Sequence, residues 1–171
     1  MAHTISTKPC CASPLHLVVP ARCGNSAPAS IVEAIRSVTQ SIPETRLHPV
    51  SSRAIAPPFR PGILLALLTY CYATNVLGTS EICDQVMNDA ACSKICGGTF
   101  PTAHDLRAFR QLNRAELEKC LTATLRFVEE QNAIATLTAP PDEATIAGEA
   151  KRRIIMAACL DRMELDGVRF S

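Results

Sequence analysis

A chain of 171 residues is long enough for one domain with a substantial core, plus appendages. With 47% hydrophobic and 19% charged residues it is not a disordered chain, and only 4% aromatics with no Trp leaves the core to Leu, Ile, Ala and Cys, a composition that favours helices over sheets. A net charge of +1 excludes the basic surplus of a dedicated duplex binder, so an anion-binding face must come from the arrangement of charges.

In chain order, residues 1–29 mix Pro, Ser, Cys, Ala and Thr without a period and read as a loose arm. Ser30 and Glu33 have capping-box spacing, and Ile31, Ile35 and Val38 form a stripe, so a short helix is expected before Pro43. Residues 43–61 hold Pro43, Pro49, Pro57, Pro58 and Pro61 and are expected to be an extended linker. Pro61 suits a helix start, and the all-round apolarity of "ILLALLTYCYA" places that helix, to about Asn75, at the centre of the domain. Eleven apolar residues are too few to span a membrane, which needs roughly 18–20.

Gly78 stops the chain, and a helix from Thr79-Ser80 turns Ile82, Val86 and Cys83 inward and Glu81, Asp84 and Asp89 to water. A short segment, Ala90 to Cys96, precedes Gly97-Gly98. Thr102 and Asp105 then cap a helix predicted to run to about Gln131, with Leu106, Phe109, Asn113, Leu117 and Cys120/Leu121 on its inner stripe. Pro140-Pro141 end the next loop. The last helix starts at Asp142, buries Ile146, Ala150, Ile154, Ala157 and Leu160, and stops at Gly167. The expected fold is all-α: a compact helical domain with a helix-turn-helix-like core, an extended N-terminal arm and a C-terminal helix. Its divisions are an arm at 1–52, a helical domain at 53–131, and a loop plus helix at 132–171.

Nine cysteines, an odd number without a framework, read as free, buried thiols in a reducing compartment. Cys92 and Cys96 share a helix face, but no second pair completes a zinc site, and core packing is the better reading. No phosphate-cradling GxxxxGK[ST] loop, GxSxG elbow or HExxH helix is present. A Cys96–His104 pairing has no third group to orient it. Neither an export signal nor a membrane segment is found, so a cytoplasmic protein without metal or cofactor is expected.

Arg107, Arg110 and Arg114 fall on one side of the Thr102 helix. As a solvated face they would pair with Asp105, Glu116 and Glu118; beside Phe109, Arg110 could instead hold the packing through a buried carboxylate. As a binding face they would reach phosphates or base edges of DNA. Asp161 and Glu164, three apart on an amphipathic helix, read as solvated acids. Lys151-Arg152-Arg153 reads as surface, while Ile154-Ile155-Met156 suggests packing on the domain or on a second copy.

The stretch "PPFRPGILLALLTYCYATNVLGTSEI", a Cys/Gly turn, and P-x-x-x-x-[IL]-x-x-F-R-x-x-[NH] at Pro101, Leu106, Phe109, Arg110 and Asn113 together resemble a known pattern. Residues 57–125 are similar to the N-terminal domain of insertion-sequence transposases of the InsH type. The resemblance implies a helical, helix-turn-helix-like module that holds transposon DNA ends, with Arg107, Arg110 and Arg114 as candidate contacts. In that family the module precedes an RNase H-like domain whose three acids hold two metal ions. Only a loop and one helix are expected after Gln131, so the catalytic half is read as missing and no enzyme activity is expected. The expected partners are DNA and a second copy or a full-length transposase. The alternative is a helical self-association module without DNA contact.

Overall fold

The computed structural model describes residues 27–50 and 59–169, and every regular element among them is helical. In chain order these are α1 (Ala27–Gln40), a 3-10 turn (Glu44–Arg46), α2 (Pro61–Ala73), α3 (Thr79–Asn88), α4 (Ala90–Cys96), α5 (Ala103–Leu112), α6 (Arg114–Thr136) and α7 (Glu143–Arg169). Residues 1–26 of the loose arm expected at 1–29, and the prolines at 57 and 58, lie outside the described residues.

α2 is the hub. Pro61 occupies its first turn, where a missing N–H costs nothing, and eight of its residues from Leu64 to Ala73 are buried. α1, α4, α5 and α6 pack around it, as its uniform apolarity requires. Asn75 closes it in the left-handed region (φ 67°), with the Val76 N–H donating to the Cys71 carbonyl (2.7 Å) and the Asn75 N–H to that of Tyr72 (3.1 Å). The three N-terminal residues of this hub stay half-buried, and α4 covers its other side through Cys92 and Cys96.

Three sequence expectations are corrected here. First, α1 is no part of a loose arm. Val32 and Ile35 are buried and the helix packs on α2 and α6. The proline-rich segment after it also joins the core, since Leu47 and Val50 are buried beyond the 3-10 turn. Second, the Thr102 helix breaks at Asn113. There the side-chain Oδ1 accepts from the His48 N–H (2.7 Å), while Nδ2 donates to the His48 (3.0 Å) and Phe109 (3.2 Å) carbonyls. The backbone bonds across Asn113 persist, its N–H donating to the Phe109 carbonyl (2.9 Å) and its carbonyl accepting from the Leu117 N–H (3.0 Å), while the side-chain amide ties His48 to the bundle. Third, α7 continues through Gly167 to Arg169.

The Thr102 cap forms as the sequence predicts. The Thr102 Oγ1 accepts from the Asp105 N–H (3.2 Å), and the Thr102 N–H donates to the Asp105 carboxylate (2.9 Å). Asp89 caps α4 through the Cys92 N–H (2.7 Å), and Gly97, at φ 59°, ends it. α6 ends differently. Leu137 adopts φ 54° with 94% of its surface exposed, and the Thr138 N–H reaches back to the Ala133 carbonyl (3.1 Å). A left-handed Leu is strained and here buries nothing. Leu137→Gly should therefore stabilise the protein by about 1 kcal/mol, read as a higher urea midpoint at unchanged slope.

Candidate functional site

The three arginines do not form one open face. The side chains of two of them reach from α5 to the C-terminal half of α7. Arg110 is 3% exposed and donates through Nη1 to the Ala157 carbonyl (3.0 Å) and to the Asp161 carboxylate. The second Asp161 oxygen accepts from the Thr79 hydroxyl at the start of α3, which lies 3.4 Å from Arg110 Nη2. Beneath the guanidinium lies the Tyr72 ring, 5.4 Å from carbon to centroid, a cation–π contact in a dry setting. Burial pushes the Tyr72 phenol well above its ordinary value, against the smaller opposing influence of Arg110.

Arg107 is half-buried one turn earlier. Its Nη2 donates to Glu164 (2.7 Å), and its Nε lies 3.6 Å from Asp161. Glu164 also stands 3.4 Å from the Ser80 N–H, near the free end of α3, where negative charge suits the helix dipole. Arg114, the first residue of α6, is exposed and makes no ion pair among the described residues. So Arg107 and Arg110 share one network, and Arg114 stands apart from it.

The acids at 161 and 164 are accordingly not the solvated pair that the sequence suggested. Asp161 is 8% exposed and takes the inward place expected for Leu160, which is half-open instead. A buried arginine needs a carboxylate, and helix period puts 161, not 160, one full heptad after the buried Ile154.

Of the Lys151-Arg152-Arg153 triplet, Lys151 and Arg152 are exposed as expected, and the surface reading is corrected at Arg153 alone. Arg153 is fully buried; its Nη1 donates to the carbonyls of Tyr72 (2.7 Å) and Ala73 (3.1 Å), and its Nε to Glu149 (2.6 Å). It caps the C-terminus of α2 with a positive charge, where unsatisfied carbonyls and the helix dipole both call for one. Arg152 grips the same Glu149 through two nitrogens, at 2.7 and 2.8 Å. Burial alone would raise the Glu149 pKa, but hydrogen bonds from Arg152 and Arg153 outweigh it and hold the carboxyl below its ordinary range.

Of the cysteines, Cys71, Cys92, Cys96 and Cys120 are buried free thiols, Cys83 is half-buried, and Cys159 is exposed; Cys10, Cys11 and Cys23 lie outside the described residues. The Cys71 and Cys92 sulfurs stand 3.9 Å apart between α2 and α4. Among the described residues no group of three His, Cys, Asp or Glu side chains could hold a metal ion, and no helix is long and apolar enough to cross a membrane.

Several large apolar side chains are also exposed on the outward side of α7. Ile146, Ala150, Ile154, Ala157 and Asp161 face the bundle. On the other side Ile155 (43% exposed), Met156, Cys159, Leu160 and Met163 (70%) face water. At about 100° per residue, Arg152, Ile155, Cys159, Met163 and Asp166 lie within roughly 40° of one line opposite the buried stripe. No sequence signal beyond the Ile154-Ile155-Met156 run marked this second face.

No family model matches the chain, and neither a curated protein nor a solved structure does.

Proposed function

We propose that this chain is a non-catalytic helical interaction module that self-associates through the outward face of α7. The observation that carries the reading is an apolar stripe on a helix whose opposite face is already fully used. Ile155, Met156, Leu160 and Met163 lie outside the buried core and keep between 37% and 70% of their surface exposed, and exposed apolar surface of this kind marks a partner site. A contact one helix wide lies at the small end of specific interfaces, so association should depend on concentration. Light scattering across about 5–200 µM should show monomer passing to dimer. Met163→Glu should hold the chain monomeric throughout with its thermal midpoint unchanged, since that side chain leaves the core untouched. A wild-type chain that stays monomeric rejects the reading.

A second reading, DNA binding by a standalone or truncated transposase relative, is favoured by Arg114. An exposed arginine without an acidic partner among the described residues, at the start of a long helix, is free to meet a phosphate. In that reading Arg114 and the open edge of Arg107 touch the duplex, and Arg110 supports the helix from below. Fluorescence anisotropy with a labelled duplex should then show affinity falling steeply between about 50 and 200 mM salt, with a shallower slope for Arg114→Ala. Equal binding by wild type and variant would remove Arg114 from the interface.

A further inference from the structure

The outward face of α7 is complementary to its own reverse about Cys159. Four residues before it stands Ile155, and four after it Met163; seven before it stands Arg152, and seven after it Asp166. Offsets of four and seven both return to the same side of a helix, so these five residues form one line. We infer that the partner is a second copy of this chain, its α7 antiparallel to the first, with the two-fold axis passing beside Cys159. The inference rests on the self-association reading above.

A two-fold interface uses the same patch twice, so each residue must be complementary to whatever the axis brings opposite. Here the axis brings Ile155 onto Met163 of the second copy, apolar on apolar, twice over. It brings Arg152 onto Asp166, cation on anion, also twice. A parallel pairing would instead set Arg152 against Arg152 and Asp166 against Asp166, and both are repulsive. The charges therefore select the antiparallel arrangement, as flanking charges do in paired helices generally.

Asp166 is open, and Arg152, though paired with Glu149, has one nitrogen to spare. Asp166 is exposed and makes no ion pair among the described residues. Arg152 holds Glu149 with Nε and Nη2, and its Nη1 meets only the Met156 sulfur (3.1 Å), a weak acceptor that a carboxylate readily replaces. Cys159, the exposed cysteine of the described residues, sits where the two helices come closest.

The test is thiol cross-linking of the full chain with Cys10, Cys11, Cys23 and Cys83 replaced by Ser. Diamide, a two-electron oxidant, converts two facing thiols to one disulfide as it is reduced to the hydrazine. Cys159 should link to Cys159 of the second copy, and Cys159→Ser should abolish the link. In the Cys159→Ser background, Ile155→Cys mixed with Met163→Cys should give the hetero-dimer band, and Ile155→Cys alone should not link to itself. Arg152→Asp and Asp166→Arg should each weaken dimerisation at least tenfold, and the double exchange should restore it. A dimer in light scattering that links Ile155→Cys to itself, or that gives no Cys159 link, overturns the antiparallel pairing and leaves self-association standing. A chain monomeric at every concentration overturns both.

Discussion

Asp161→Ala should cost about 3–5 kcal/mol of folding stability, the largest loss expected of any carboxylate in this protein. Asp161 accepts from Thr79 and Arg110 and lies near Arg107, at the point where α3, α5 and α7 meet. Without it, the Arg110 guanidinium remains buried with one carbonyl and a distant hydroxyl as its acceptors. Leaving a charge buried and uncompensated costs several times what an exposed ion pair contributes. Urea unfolding checks the magnitude, with the midpoint falling and the slope unchanged. The paired change Arg110→Met with Asp161→Leu should recover most of the loss, because two apolar side chains of similar volume need no partner.

That result also bears on how Arg110 is understood. A DNA-contacting arginine can be removed with little effect on folding, and only binding suffers. Arg110→Ala should instead lower stability by an amount close to that of Asp161→Ala, with strong coupling between the two. A variant as stable as the wild type would return Arg110 to the surface. Such a network adds little net stability over an apolar replacement; it contributes register, since it admits one placement of α7 relative to α5 and α3.

The helical class and most helix positions were legible because they depend on local chemistry. Pro61, the Thr102–Asp105 box and the stripe Leu106, Phe109, Leu117, Leu121 act over a few residues, and the structure follows them. The Asn113 break was not legible, because its cause is His48, 65 residues away in sequence. The buried charges were misread for a related reason. Helix period marks Asp161 and Arg153 as inward-facing, but their polarity argues for water, and only a partner on another element decides the contest.

One signal of that partner was nonetheless present. Arg107 and Arg110 are three apart on α5, and Glu164 and Asp161 are three apart on α7, so antiparallel helices bring the pairs into register. Equal spacing of opposite charges on two helices suggests a seam between them, whereas a basic face considered alone suggests a ligand. Arg114 continues the spacing of the arginines but has only Ala157 in the matching position of α7, which agrees with its exposure.

Arg153→Ala is the second large effect, again about 3–5 kcal/mol, and it has a pH signature. The side chain spans from Glu149 to the last carbonyls of α2, so its loss uncaps the central helix and opens a void beside Tyr72. Arg153→Lys should recover only part of this, because one ammonium cannot satisfy the carboxylate and both carbonyls in the geometry of a planar fork. Glu149 supplies the pH dependence. Its pKa is lower folded than unfolded, so its contribution is fully present above the ordinary value of 4.5 and is lost as pH falls through the native value. The wild-type urea midpoint should therefore drop on going from pH 6 to pH 3, and Glu149→Gln should flatten part of that drop. In Arg153→Ala the carboxylate keeps only Arg152, so its native pKa rises and less of the acid-side loss remains. An acid profile identical in wild type, Glu149→Gln and Arg153→Ala would mean that the Glu149–Arg153 pair does not couple α7 to the end of α2.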